Sequence, residues 1–130
     1  MAHVIDPDAR PYAPEVLEAK PDIDAGGFFA VDMRVGRVTE VEDFPEARKP
    51  AWKLTVDFGP VLGTLRTSAQ VKNYAREELL DRLVVGAVNL GRKRIAGFES
   101  QFLVLGALEA DGTVRLLAVD DDVPVGSAVA

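Results

Sequence analysis

The side chains with the most to offer a ligand stand close together. Arg92, Lys93 and Arg94 follow one apolar run, and Glu99, Ser100 and Gln101 precede another. Guanidinium and ammonium groups contact phosphates and carboxylates, while hydroxyls and amides donate and accept hydrogen bonds. Arg48, Lys49, Lys53 and Arg66, with Ser68 and Gln70, add two further polar, basic segments. Covalent chemistry has little to work with. The one histidine, His3, lies near the N-terminus, so neither Ser68 nor Ser100 has an evident base. There is no cysteine, which excludes a thiolate metal site, a Cys nucleophile and a disulfide framework. Asp120-Asp121-Asp122 lacks the alternate spacing of a calcium loop. The adjacent pairs Glu42-Asp43 and Glu77-Glu78 point apart on a strand or helix. No glycine-rich loop leads from a strand into a helix to cradle phosphate. The sequence predicts a binding protein, not an enzyme, with no metal or cofactor.

These residues need a scaffold. Val84 to Leu90 and Phe102 to Leu105 are short apolar runs bounded by Gly91, Gly97 and Gly106, and read as two strands that lift the cations to the surface. Phe28 to Val41 alternates through Val31, Met33 and Val35, with Gly36 marking a bulge or bend. Trp52 to Phe58 alternates again, Gly59-Pro60 turns the chain, and Val61 to Thr67 returns as a hairpin partner with Lys53 and Arg66 facing outward. Asn73 to Leu83 reads as a helix, with Asn73 as N-cap, a Glu78–Arg82 pair and an apolar face of Leu79, Leu80 and Leu83. Asp111-Gly112 turns into a further strand, Thr113 to Val119, and Val123 to Gly126 ends the chain in extended form. Phe98, Phe102, Trp52 and Tyr74 read as core first and as stacking platforms second. The expected fold is mainly all-β: a five-stranded OB-fold barrel with one helix between strands 3 and 4, plus extra terminal elements.

Composition bounds the rest. A chain of 130 residues predicts one domain that can bury its own core. Residues 1–27, with Pro7, Pro11, Pro14 and Pro21, are expected to form an arm or tail, with a short helix over Glu15 to Lys20; residues 28–130 form the barrel domain. No apolar run approaches a membrane span and no signal pattern opens the chain, which predicts a cytoplasmic protein without membrane insertion. The net charge of −6 argues against generic nucleic-acid binding. Its distribution is uneven: residues 48–94 hold 10 basic and 4 acidic side chains, against 4 and 11 in residues 1–47. That is either solvated charge clustered by chance or a positive patch on an acidic body. Extra apolar edges predict a twofold homodimer.

FPEARKPAWKLTVDFG (Phe44 to Gly59), RTSAQV (Arg66 to Val71), VVGAVNLGRKRIAGFESQFLVLGA (Val84 to Ala107) and VDDDVPVGSAV (Val119 to Val129), with DMRVGRV before them, resemble one family. It is the CsaA family of bacterial protein-secretion chaperones, stand-alone members of the tRNA-binding-domain family related to the C-terminal module of methionyl-tRNA synthetase. The resemblance covers about residues 28–130; the first 27 have no counterpart. It implies an OB-fold homodimer that binds unfolded preproteins or signal peptides, cooperates with the translocation ATPase SecA, and retains tRNA binding. By motif position it carries over Ser68, Gln70, Asn89, Lys93, Arg94, Ser100 and Gln101. Dedicated tRNA-binding relatives read Ser-x-Gly-Met where this chain has Ser100-Gln101-Phe102-Leu103, a departure of the CsaA type. Gly91-Arg92 stand where the family commonly has prolines. Two functions follow: a holdase with an apolar groove rimmed by Lys93 and Arg94, or a tRNA-binding module acting as a structure-specific RNA-binding protein or aminoacylation cofactor.

Overall fold

A computed structural model describes residues 10–130. Its centre is β1 (Met33–Asp43), long enough at 11 residues to serve two partners in succession. The first half pairs antiparallel with β4 (Leu83–Ala87), from Met33 opposite Ala87 to Arg37 opposite Leu83. The second half pairs with β2 (Trp52–Asp57), from Arg37 opposite Asp57 to Asp43 opposite Trp52. The β1–β2 register slips between Val38 and Glu40, and this bulge sits where the strand passes from one partner to the other. β2 pairs in turn with β3 (Thr64–Ala69) through a single helical turn, α2 (Gly59–Leu62). On the other flank, β4 pairs with the short β7 (Leu103–Val104). The order β3-β2-β1-β4-β7 makes a five-stranded antiparallel, nearly closed barrel, as an all-β OB-type reading requires.

Glycine makes the curvature possible at two points. A Cβ on Gly36 would lie 2.8 Å from the Phe58 ring, and one on Gly86 would lie 2.8 Å from both Phe58 and Phe102. Gly36 is thus a notch for an aromatic ring; the bulge expected there falls at Val38–Glu40 instead. Phe58 fills the space edge-on to Phe102, with ring centroids 4.9 Å apart. Around this pair Val38, Val41, Leu54, Val56, Leu79 and Val84 form the core.

The last gap in the barrel, between β3 and residues 100–102, is closed in large part by side chains. The Gln101 N–H donates to Arg66 O (2.8 Å), and Gln101 Oε1 accepts from the Arg66 N–H (2.9 Å). The Ser68 N–H donates to Ser100 Oγ (3.1 Å), and the two serine hydroxyls lie 3.2 Å apart. The buried Thr67 hydroxyl donates to Phe102 O at 2.7 Å. A strand edge that would otherwise be bare is satisfied.

The terminal segments and the helices differ from the sequence expectation. The strand expected from Phe28 begins at Met33. Before it, Asp24 caps one helical turn, α1 (Ala25–Phe29). Glu15 to Lys20 forms no helix; Ala13 O accepts from Val16 and Leu17 in an isolated turn. The arm's first nine residues, His3 and Pro7 among them, lie outside the described residues. The long helix contracts to α3 (Arg76–Leu79), because Leu83 onward is taken into the sheet by β1. Asp81, at φ 66, makes the turn. Asn73 is not the N-cap; its amide donates to Val114 O. Glu78 reaches back to the Ala75 N–H (2.8 Å), leaving Arg82 to lie over Tyr74. After β7, β8 (Gly106–Leu108) and β9 (Val114–Leu116) form a hairpin around Asp111-Gly112. The C-terminal segment then lies against β1 where β2 has left it: Val35 N–H donates to Ser127 O, and Val129 N–H to Met33 O. No helix among the described residues is long and apolar enough to cross a membrane.

Two substitutions test this account by chemical unfolding. Gly86→Ala forces a methyl against two packed rings and should cost about 1–3 kcal/mol, the usual range for overpacking. Thr67→Val keeps the shape but leaves the Phe102 carbonyl without its donor, and should cost roughly 1–3 kcal/mol. An unchanged denaturation midpoint in either variant contradicts the corresponding contact.

Candidate functional site

The segment between the two apolar runs is itself a hairpin, β5 (Lys93–Ile95) with β6 (Phe98–Ser100). Its two-residue turn, Ala96-Gly97, has φ of 48 and 78 degrees at the two positions, the left-handed pair that matches the twist of a tight hairpin. Cross-strand neighbours share a face, so Lys93 and Ser100 fall on one side with Ile95 and Phe98, and Arg94 and Glu99 on the other. Phe98 anchors the first side. It is buried against Phe44, centroids 5.5 Å apart, on the outer surface of the barrel.

An open groove of about 690 Å³ lies between this hairpin, the end of β3 and the Arg48–Lys49 loop. Leu90, Ile95, Leu103 and Val104 supply apolar wall; Leu90 and Leu103 are 57% and 54% exposed although the core could have taken either type. Arg48, Lys49, Arg92 and Lys93 border the same space, with Ser68, Gln70 and Ser100. Seven of the eleven residues singled out from the sequence are therefore Arg48, Lys49, Ser68, Gln70, Lys93, Ser100, which line the groove, and Gln101, which closes the barrel beside it.

The other four are placed elsewhere. Lys53 Nζ lies 4.8 Å from the Phe44 centroid and 5.3 Å from that of Phe98; the Arg66 guanidinium lies 4.8 Å from Phe98. Both are spread over an aromatic pair on the outer face, and Arg66 also approaches Glu42 at 3.6 Å. Asn89 spans two backbones. Its Oδ1 accepts from the Asp32 N–H (2.7 Å) and its amide donates to Ala30 O (2.8 Å), tying the entry of β1 to the exit of β4. Arg94 donates to Gly97 O (2.9 Å) and approaches Glu99 at 3.6 Å.

The cations divide into two classes. Among the described residues, Arg48, Lys49 and Lys93 form no ion pair. Arg92 and Arg94 converge on one carboxylate, Glu99, at 2.7 and 3.6 Å. The hydrogen bond donated by Arg92, with the charges of Arg92 and Arg94, holds the Glu99 carboxyl below its ordinary pKa, so it is an anion at neutral pH. Sequence reasoning grouped Glu99 with Ser100 and Gln101 but missed it as the partner of Arg92 and Arg94. The available signal was its spacing from Arg94 across a two-residue turn. It also passed over Leu90, Ile95 and Leu103, because apolar strand residues look alike whether they face a core or a groove. Trp52 and Tyr74 do not form a platform: the Trp52 indole N–H donates to Tyr74 O, and the Tyr74 hydroxyl accepts from the Leu116 N–H.

Comparison with known proteins follows this geometry. Residues 33–128 match the family model described as "Putative tRNA binding domain". The chain is similar to a CsaA chaperone structure from Picrophilus torridus, with 43% identity and a TM-score of 0.79, over 84% of this chain and all of that one. It is similar to chaperone CsaA of Bacillus anthracis, with 40% identity and a TM-score of 0.79, over 85% of this chain and all of that one. Among curated proteins, the methionine–tRNA ligase of Methanococcus maripaludis is 39% identical over 107 residues, 82% of this chain. The chain spans only about a sixth of that enzyme's length, 16%. The match runs from the start of β1 to the C-terminal segment that pairs with it, and so takes in the barrel, the hairpin and the groove: this chain belongs to the tRNA-binding domain family.

Proposed function

We propose that the protein is a CsaA-type holdase that receives extended apolar segments of unfolded preproteins or signal peptides in the groove beside the β5–β6 hairpin. The observation that carries this reading is an apolar wall left exposed within a folded barrel and bordered by unpaired cations. Apolar side chains of a client would be drawn from water by Leu90, Ile95 and Leu103, while Arg48, Lys49 and Lys93 would meet carboxylates or carbonyls along it. The likeness to CsaA chaperones supports the same reading. It extends to a cytoplasmic homodimer that passes clients to SecA, with exposed Val61, Leu108 and Leu117 as apolar surface for a second copy to cover. Residues 28–130 are the functional unit in this reading and residues 1–27 an appended arm.

A second reading has its own support. The family description and the unpaired cations favour tRNA as a ligand, bound through its phosphates along the same rim. In this reading the protein acts as a structure-specific RNA-binding protein or as an aminoacylation cofactor that holds tRNA.

Light scattering of a chemically denatured client, with and without the protein, tests the holdase. Aggregation should be suppressed, and a labelled apolar peptide should bind. Introducing charge into the wall by Leu90→Asp with Leu103→Asp should weaken that binding by about tenfold or more, since a carboxylate there must be desolvated. Full suppression by the doubly charged variant would remove the groove from the mechanism. For tRNA, affinity should fall linearly with salt on logarithmic axes, and Lys93→Ala should reduce that slope by roughly one. A slope indifferent to Lys93 sinks the RNA reading.

A further inference from the structure

We propose that Glu99 is a built-in competitor for nucleic-acid phosphate, and that it sets how far the cationic hairpin can act as an RNA contact. The inference rests on the tRNA reading above and specifies which of its cations are available.

The geometry supplies the argument. Glu99 Oε1 accepts from Arg92 at 2.7 Å, and Oε2 lies 3.6 Å from Arg94. One carboxylate therefore engages two of the three consecutive cations from the centre of their own hairpin. Arg94 has a second tether, the Gly97 carbonyl at 2.9 Å, so its guanidinium is turned back along the hairpin. Lys93 falls on the opposite face, beside the groove, with no such partner among the described residues. The three neighbours in sequence are thus unequal. Lys93 presents a full charge, whereas Arg92 and Arg94 present two charges already offset by one.

Both arginines are solvent-exposed, 58% and 65% at their side chains, so exposed ion pairs of this kind add little to fold stability. Their consequence is for ligands instead. A phosphate that approaches either guanidinium meets a fixed anion, hydrogen-bonded to Arg92 at 2.7 Å and ion-paired with Arg94 at 3.6 Å. It must displace that anion or bind beside it. Either way Arg92 and Arg94 neutralise fewer phosphates, so fewer of the cations condensed on the nucleic acid are released on binding. A peptide lying on the apolar wall by Lys93 and Ile95 shares its groove with Arg92 but not with Glu99 or Arg94, and draws on apolar contacts that this carboxylate does not oppose. Glu99 thereby biases the protein away from polyanions without removing a single cation.

Glu99→Gln keeps size and hydrogen bonding while removing the charge. Fluorescence anisotropy with labelled bulk tRNA, over a KCl series, measures the result on the full-length chain. Glu99→Gln should bind tRNA roughly three- to tenfold more tightly, with a logarithmic salt slope steeper by about one. The decisive readout is coupling. Arg94→Ala should cost little in the wild-type background and should erase much of the gain in the Glu99→Gln background, whereas Lys93→Ala should weaken binding in both. The thermal unfolding midpoint should be the same for wild type and Glu99→Gln, which separates a charge effect from a folding one. If Lys93→Ala still weakens binding but Glu99→Gln gives no gain, or if Arg94→Ala costs the same in both backgrounds, the proposal is overturned and the tRNA reading stands. If no variant binds tRNA, both fall.

Discussion

One aromatic ring sits where the barrel bends. Phe58, at the exit of β2, is driven into the space that Gly36 and Gly86 leave empty on β1 and β4. Without those two notches the strands could not curl inward around it. Phe58 also meets Phe102 edge-on, and the backbone of Phe102 is where the Thr67 hydroxyl fastens β3 to the far side of the sheet. A single packed contact is thus continuous with barrel closure. The hairpin carrying the cations leaves the barrel at residues 100–102, so its position depends on the same closure. A disturbance of the interior at Phe58 would reach the groove through Phe102, which packs on Phe58 and lines the groove.

The closure has a second consequence. Gln101 Oε1 and Ser100 Oγ occupy the Arg66 and Ser68 N–H groups that a neighbouring strand would otherwise claim. Polar residues carried over as ligand contacts from the family pattern are therefore also the fasteners of the fold. Satisfied backbone donors at a barrel edge are worth more to the protein than to a passing ligand, because leaving them bare on release would expose an edge to aggregation. Asn89 illustrates the same economy, spending both ends of its amide on the Ala30–Asp32 backbone.

The legible parts of the sequence were those with short-range signals. Alternation over Trp52 to Phe58 located β2 because one face must be buried, and the continuous run at Val84 located β4 because both faces are. Burial confirms this at Leu54, Val56, Val84 and Val85. The Asn73 to Leu83 helix was legible only in part. Its apolar spacing satisfied a helix, but Leu83 is worth more as a ladder partner of Arg37 than as the end of that helix, and long-range pairing carries no local mark. The turn at Ala25–Phe29 was missed for a related reason: Asp24 is a good cap, but Gly26 and Gly27 disguised the helical turn that follows it. At the site, the cations were visible because charge must face water. Which cations were free was not visible, since this turns on Glu99 meeting Arg92 and Arg94 across a fold that composition does not reveal.

An acidic protein with a basic groove gains from keeping the two charge classes apart. With a net charge of −6, the body as a whole repels polyanions that come within about a screening length of its surface, about 8 Å at physiological salt. Attraction operates close in, at Arg48, Lys49 and Lys93, which form no ion pair among the described residues. A ligand held by charge alone must therefore cross a repulsive approach to reach a small attractive rim. A ligand with apolar side chains has a further source of affinity in Leu90, Ile95 and Leu103 that neither salt nor the surrounding acidic surface diminishes. This asymmetry favours an extended, mixed-character polypeptide over a uniform polyanion, with the balance between them set by the few charges at the hairpin.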